Sequence, residues 1–107
     1  MNLVNKNMAM EYLMGNEIIY DKIKKSFLNS YQNHKDKYQE FKENENIKEA
    51  YSYIHSIKGI SLNLGAEILY KYANKALEVL KKEQWRNDVI DQFFIALELT
   101  YDELNFL

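Results

Sequence analysis

The chain has 107 residues, 47% hydrophobic and 28% charged, with a formal net charge of −2. That composition suits a single globular domain with a real core; it lacks the basic footprint of a nucleic-acid binder and any apolar run near the ~20 residues that span a bilayer. With no cysteine, disulfides and thiolate metal sites are excluded, and with no proline and three glycines, long helices joined by short turns are expected.

Residues 1–14 read as a short, frayed helical lead-in, with Met8, Tyr12 and Leu13 available to pack. Their start lacks the charged segment and apolar stretch of a secretory signal. Gly15 breaks the lead-in. Asn16 is placed to cap a helix by accepting from its free N–H groups, and Glu17 suits a helix N-terminus. Ile19, Ile23, Phe27 and Tyr31 then recur at helical spacing, and Tyr38 and Phe41 continue the stripe past a polar patch at Gln32-Asn33, where a kink or break is expected. His34 falls in this polar stretch and reads as a solvated residue.

Glu43-Asn44-Glu45-Asn46 is a polar turn, and Asn46 is the expected N-cap of a helix over residues 47–63. At ~100° per residue, Ile47, Ala50, Ile54, Ile57 and Ser61 share one stripe, flanked by Tyr51. Gly65 ends this helix, since glycine tolerates the left-handed conformation common just past a helix end. Ala66 starts the next helix, with Leu69, Tyr72, Ala73, Ala76 and Leu80 as its apolar face and Lys81-Lys82 at its C-terminal end. Trp85 lies at a helix junction and is expected to close the end of the bundle. Asn87 or Asp88 can cap a last helix, with a stripe through Ile90, Phe93 or Phe94, Leu97, Tyr101 and Leu104. The fold expected is an all-α antiparallel four-helix bundle over residues 16–105 with the lead-in before it.

With its apolar stripe turned to the core, the 47–63 helix projects His55 outward, together with Lys58, Gly59 and Leu62. Residues three and four apart are neighbours on a helix. An imidazole in water is largely neutral near pH 7, so its free nitrogen can attack phosphorus without an elaborate base. Lys58, one turn on, can pair with phosphoryl oxygens as a flexible point charge. A mid-helix glycine costs roughly 1 kcal/mol relative to alanine. At Gly59 the missing side chain would let a partner surface come close to the ring, or else would serve tight helix packing. Together these residues describe a place to load and unload a phosphoryl group.

Ile54-His55-Ser56-Ile57-Lys58-Gly59 and Asn63-Leu64-Gly65-Ala66, at this separation, resemble the histidine-containing phosphotransfer (HPt) domains of two-component phosphorelays. The resemblance implies a four-helix bundle with His55 as phosphoryl acceptor and donor and Lys58 and Gly59 beside it. It implies exchange with aspartates of response-regulator receiver domains, or with a hybrid sensor histidine kinase through such an aspartate. Mg²⁺ and most of the catalytic apparatus would sit on the receiver. The chain itself would be a cytoplasmic phosphocarrier rather than an enzyme, with no cofactor or metal, nucleic acid or membrane of its own. A monomer is expected, although some family members dimerise through an added helix and residues 1–14 could serve that purpose here. Many family members carry a polar residue, often Gln, on the neighbouring helix near the active His. Here Leu77 holds that position, and Asn74 is the available substitute. Leu62, Ser52, Asn74 and Glu78 are the expected docking residues, Leu62 as an exposed apolar contact.

Two other functional readings stand beside this one, and a third, a purely structural bundle, leaves the placement of Lys58 and Gly59 unexplained. The chain could be the His-bearing domain of a chemotaxis-type kinase, phosphorylated directly by a kinase core, or a helical adaptor that binds a receiver without phosphotransfer. Other chemistries lack their residues. There is no Gly-rich phosphate loop, no His-Glu-x-x-His metal motif, and no third group to complete a hydrolase triad with Ser56 or Ser61. The nine Tyr, five Phe and one Trp read as core filling rather than a base-stacking platform.

Overall fold

A computed structural model describes residues 3–106. Every regular element among them is helical: α1 (Lys6–Tyr12), α2 (Glu17–Ser30), α3 (His34–Asn44), α4 (Ile47–Ser61), a 3₁₀ turn (Leu62–Leu64), α5 (Glu67–Lys81) and α6 (Asn87–Phe106). The all-α expectation holds. No helix among the described residues is long and apolar enough to cross a membrane.

Asparagines set three of the helix starts. Asn5 Oδ1 accepts from Met8 N, Asn16 Oδ1 from Ile19 N and Asn46 Oδ1 from Glu49 N, at 3.0–3.1 Å. Each satisfies a donor that has no intrahelical partner. The expected cap at Asn87 or Asp88 is replaced by other contacts. Asn87 is the first residue of α6 and its Oδ1 accepts from the Trp85 indole at 2.9 Å. Asp88 pairs with Arg86, and the guanidinium hydrogen bond holds its carboxyl below the usual range.

α4 and α5 form the principal packed pair, and α6 lies against α5, α2 and α3. Ala50, Ile54, Ile57 and Ser61 of α4 are buried, and so are Leu69, Ala73, Ala76, Leu77 and Leu80 of α5. Ser61 is tolerated in the core because its hydroxyl donates to Ile57 O at 2.7 Å. α6 contributes both Phe93 and Phe94, and Tyr101 Oη donates to Leu28 O at 3.0 Å, tying α6 to α2.

Three further expectations are corrected here. From residue 3 onward the lead-in is docked rather than frayed; residues 1 and 2 lie outside the described residues. Val4 and Ala9 are buried, while Tyr12 is exposed. The Glu103 carboxylate on α6 accepts from Leu3 N and Val4 N at 3.0 and 2.6 Å, and Asn5 N donates to Gly65 O at 2.8 Å. On α2 the core stripe runs through Tyr20, Ile23 and Phe27, and Ile19 is exposed. Two full turns separate Tyr20 from Phe27, which aligns them, whereas Ile19 lies ~100° to the side. His34 is buried, not solvated. The chain breaks at residues 31–33, as the polar patch suggests, and the break turns His34 inward against the Tyr101 ring, with centroids 4.9 Å apart. Its Nδ1 lies 2.8 Å from Tyr31 O and must donate there, because a carbonyl only accepts. Nε2 is left buried without a partner.

Gly65 has φ +76°, and a Cβ built on it would lie 2.0 Å from Asn5 O. Gly65→Ala is therefore expected to lower stability by at least about 2 kcal/mol and to release residues 3–5, because it adds left-handed strain to a backbone collision. Urea unfolding and amide exchange at Asn5 measure the two effects.

Burial pushes the phenols of Tyr20, Tyr31 and Tyr53 upward. Tyr38 is pushed up to about 12 by burial together with its hydrogen bond to Asp91. A raised folded value means that the unfolded chain loses its phenolic protons first. The stabilisation is thus whole below the ordinary value of 10 and is lost as pH rises toward 12. Denaturant midpoints should fall across that alkaline window, and Tyr38→Phe should flatten part of the slope.

Candidate functional site

The outer face of α4 carries the candidate site. The Asn46 cap fixes where the helix begins, and the buried stripe fixes its rotation. His55 consequently projects into solvent near the middle of α4. Its imidazole is stacked on the ring of Tyr51, one turn earlier, with centroids 5.9 Å apart and planes 21° from parallel.

Lys58 and Gly59 follow on the same face. Lys58 is half-buried, and its ammonium lies over the Tyr70 ring of α5, 5.9 Å from the centroid. The cation is thus drawn across the hairpin toward an aromatic face. Gly59 is exposed, and a Cβ built on it would meet nothing within 4 Å. This removes tight packing within the chain as the reason for glycine and leaves an open stretch of helix backbone one turn from the imidazole.

Two contacts bracket the level of His55 on the hairpin. Toward the turn, Lys58 lies over Tyr70. Away from it, Tyr51 shares a groove with Ile47, Leu80 and Lys81. Asn74 and Leu77 occupy the stretch of α5 between these levels. Asn74 is half-buried, Glu78 is exposed, and Leu77 is buried in the core. Ser52 is exposed, and its carbonyl accepts from Ser56 Oγ at 3.0 Å.

Leu62 differs from expectation. α4 ends at Ser61, and Leu62 opens the 3₁₀ turn against which α1 packs. Leu62 is half-buried there rather than standing exposed on the face. Asn63-Leu64-Gly65 favours the tighter turn because Gly65 N bonds back to Leu62 O at 3.0 Å.

The residues missed at the sequence level are the two tyrosines that touch the site. Tyr51 was legible as the i−4 neighbour of His55 but reads first as a flank of the core stripe. Tyr70 comes from the other arm of the hairpin, and only the cross-hairpin register brings it to Lys58. Among the described residues, no group of three or more His, Asp or Glu side chains is arranged to hold a metal ion. The chemistry available at the surface is that of an accessible imidazole with a cationic side chain three residues on, its ammonium over the Tyr70 ring. No protein-family model, curated protein or solved structure matches this chain.

Because Gly59 lies in a helix interior with free space around it, Gly59→Ala should stabilise the fold by about 0.5–1 kcal/mol. Thermal unfolding tests this directly. A loss of stability would mean that the glycine serves the fold after all.

Proposed function

We propose that this chain is a phosphorelay intermediate of the HPt type. His55 accepts a phosphoryl group from a receiver-domain aspartyl phosphate and passes it to another receiver. The observation that carries the reading is the exposed His55 beside the open backbone at Gly59. A bare, solvent-facing glycine gives the helix nothing of its own, but it gives a protein-borne phosphoryl donor room to approach.

In the proposed step, the lone pair of one imidazole nitrogen attacks phosphorus in line with the bond to the aspartyl oxygen. The N–P bond forms as the P–O bond breaks, and the aspartate leaves as a carboxylate with the bonding pair. The other ring nitrogen then releases its proton to water, leaving an uncharged imidazole ring that carries the negatively charged phosphoryl group. Lys58 moves from the Tyr70 ring to the new phosphoryl oxygens, one helical turn away, as a charge-assisted donor. Return of the phosphoryl group to a second receiver follows the same geometry in reverse. The partner supplies Mg²⁺ and the aspartate.

The bundle form belongs to the same proposal. α2 and α3 act as one helix interrupted at residues 31–33, and α4, α5 and α6 complete four. The working location is the cytoplasm, where a cysteine-free carrier and its receivers would meet.

Incubation with a phosphorylated receiver tests the reading. Acid-labile, alkali-stable label is expected on the wild-type chain and absent from His55→Gln. Equal label on that variant refutes the assignment.

A further inference from the structure

An exposed histidine on a helix ordinarily samples several rotamers, and a transferring group must find its nitrogen in one of them. Here the imidazole is not left to itself. Its ring lies near-parallel to that of Tyr51, with centroids 5.9 Å apart, within the offset-stacked range of aromatic pairs. Tyr51 is in turn half-buried, packed on the core, and borders the groove with Ile47 and Leu80. The ring that touches His55 is therefore itself held. Lys58, three residues further along the same face, has its ammonium over Tyr70.

We propose that Tyr51 is a positioning residue for His55, holding the imidazole by its face so that the ring edge, which carries both nitrogens, stays open to a phosphoryl donor. The proposal rests on the phosphocarrier reading. The brace limits the ring's rotation before the donor arrives, so less ordering is left for the encounter. Contact through the ring face needs the aromatic ring and not the phenolic hydroxyl. That separates a positioning role from general packing, because an aliphatic residue of similar bulk can fill the groove without stacking.

The experiment uses the whole chain with phosphoramidate, a small phosphoryl donor that requires no receiver, and compares wild type, Tyr51→Phe and Tyr51→Leu. His55 phosphorylation in Tyr51→Phe should match wild type. Tyr51→Leu should slow it by roughly two- to tenfold, the range that one aromatic stack supplies, with its thermal midpoint near that of wild type. Proton NMR reads the stack without any phosphorylation. The His55 ring protons should be shifted upfield by the Tyr51 ring current in wild type and Tyr51→Phe, and that shift should vanish in Tyr51→Leu. Equal phosphorylation rates in Tyr51→Leu and wild type, or no upfield shift in wild type, overturn the positioning role. A wild-type His55 that shows the shift but takes no phosphoryl group from phosphoramidate or from phosphorylated receivers overturns the phosphocarrier reading itself, and the role with it.

Discussion

At Gly65 the chain turns left-handed and lies directly against the backbone of Asn5, closer than any side chain would allow. Much else depends on that contact. The turn sends α5 back along α4 and so sets their register. Asn5 N bonds to Gly65 O, which seats the N-terminal segment over the same turn. Two further backbone donors of that segment are collected by the Glu103 carboxylate, bringing α6 into the arrangement. With the hairpin fixed, the buried stripe of α4 has one way to face, and the opposite side of the helix is given to solvent.

That solvent side is built differently from the rest of the surface. An ordinary exposed helix position favours a residue with good helix propensity. Gly59 departs from that rule where nothing inside the molecule requires it, and natural sequences tend to break local rules at functional places. The tyrosines of α4 are arranged in two tiers. Tyr53 turns inward to meet Phe41, Tyr31 and Phe94, while Tyr51, half-buried at the edge of the core, meets His55 on the outer face. Two residues of separation on a helix correspond to ~200°, so one short stretch serves both the core and the candidate site.

Local signals were legible in the sequence because their causes are local. Asn16 and Asn46 cap the helices they precede, since a short side-chain oxygen can reach the N–H three residues on whatever the distant chain does. The α4 stripe through Ala50, Ile54, Ile57 and Ser61 is periodic enough to orient the helix and place His55 outside. Signals that need tertiary context were not legible. Nothing in the polar run around His34 shows that Tyr101, far along the chain, will supply a ring for it to pack on. The lead-in looks weak alone because its anchors are a carboxylate on α6 and a carbonyl at Gly65. The choice between Ile19 and Tyr20 turns on a single step of helix rotation. Leu62 reads as part of the outer face if α4 continues to residue 63, and it loses that place when the helix tightens into a 3₁₀ turn.

The clasp between Leu3, Val4 and Glu103 has a topological consequence. It brings the N-terminal segment to the far end of the last helix, so the described chain starts and finishes at one pole. Such a unit can be spliced into a loop of a larger polypeptide with little stretching of the host, since insertion is easiest where the two junctions are close together. The same proximity makes it a natural subject for circular permutation, with new ends opened in the exposed connection at Glu83-Gln84 and the old ones joined by a short tether.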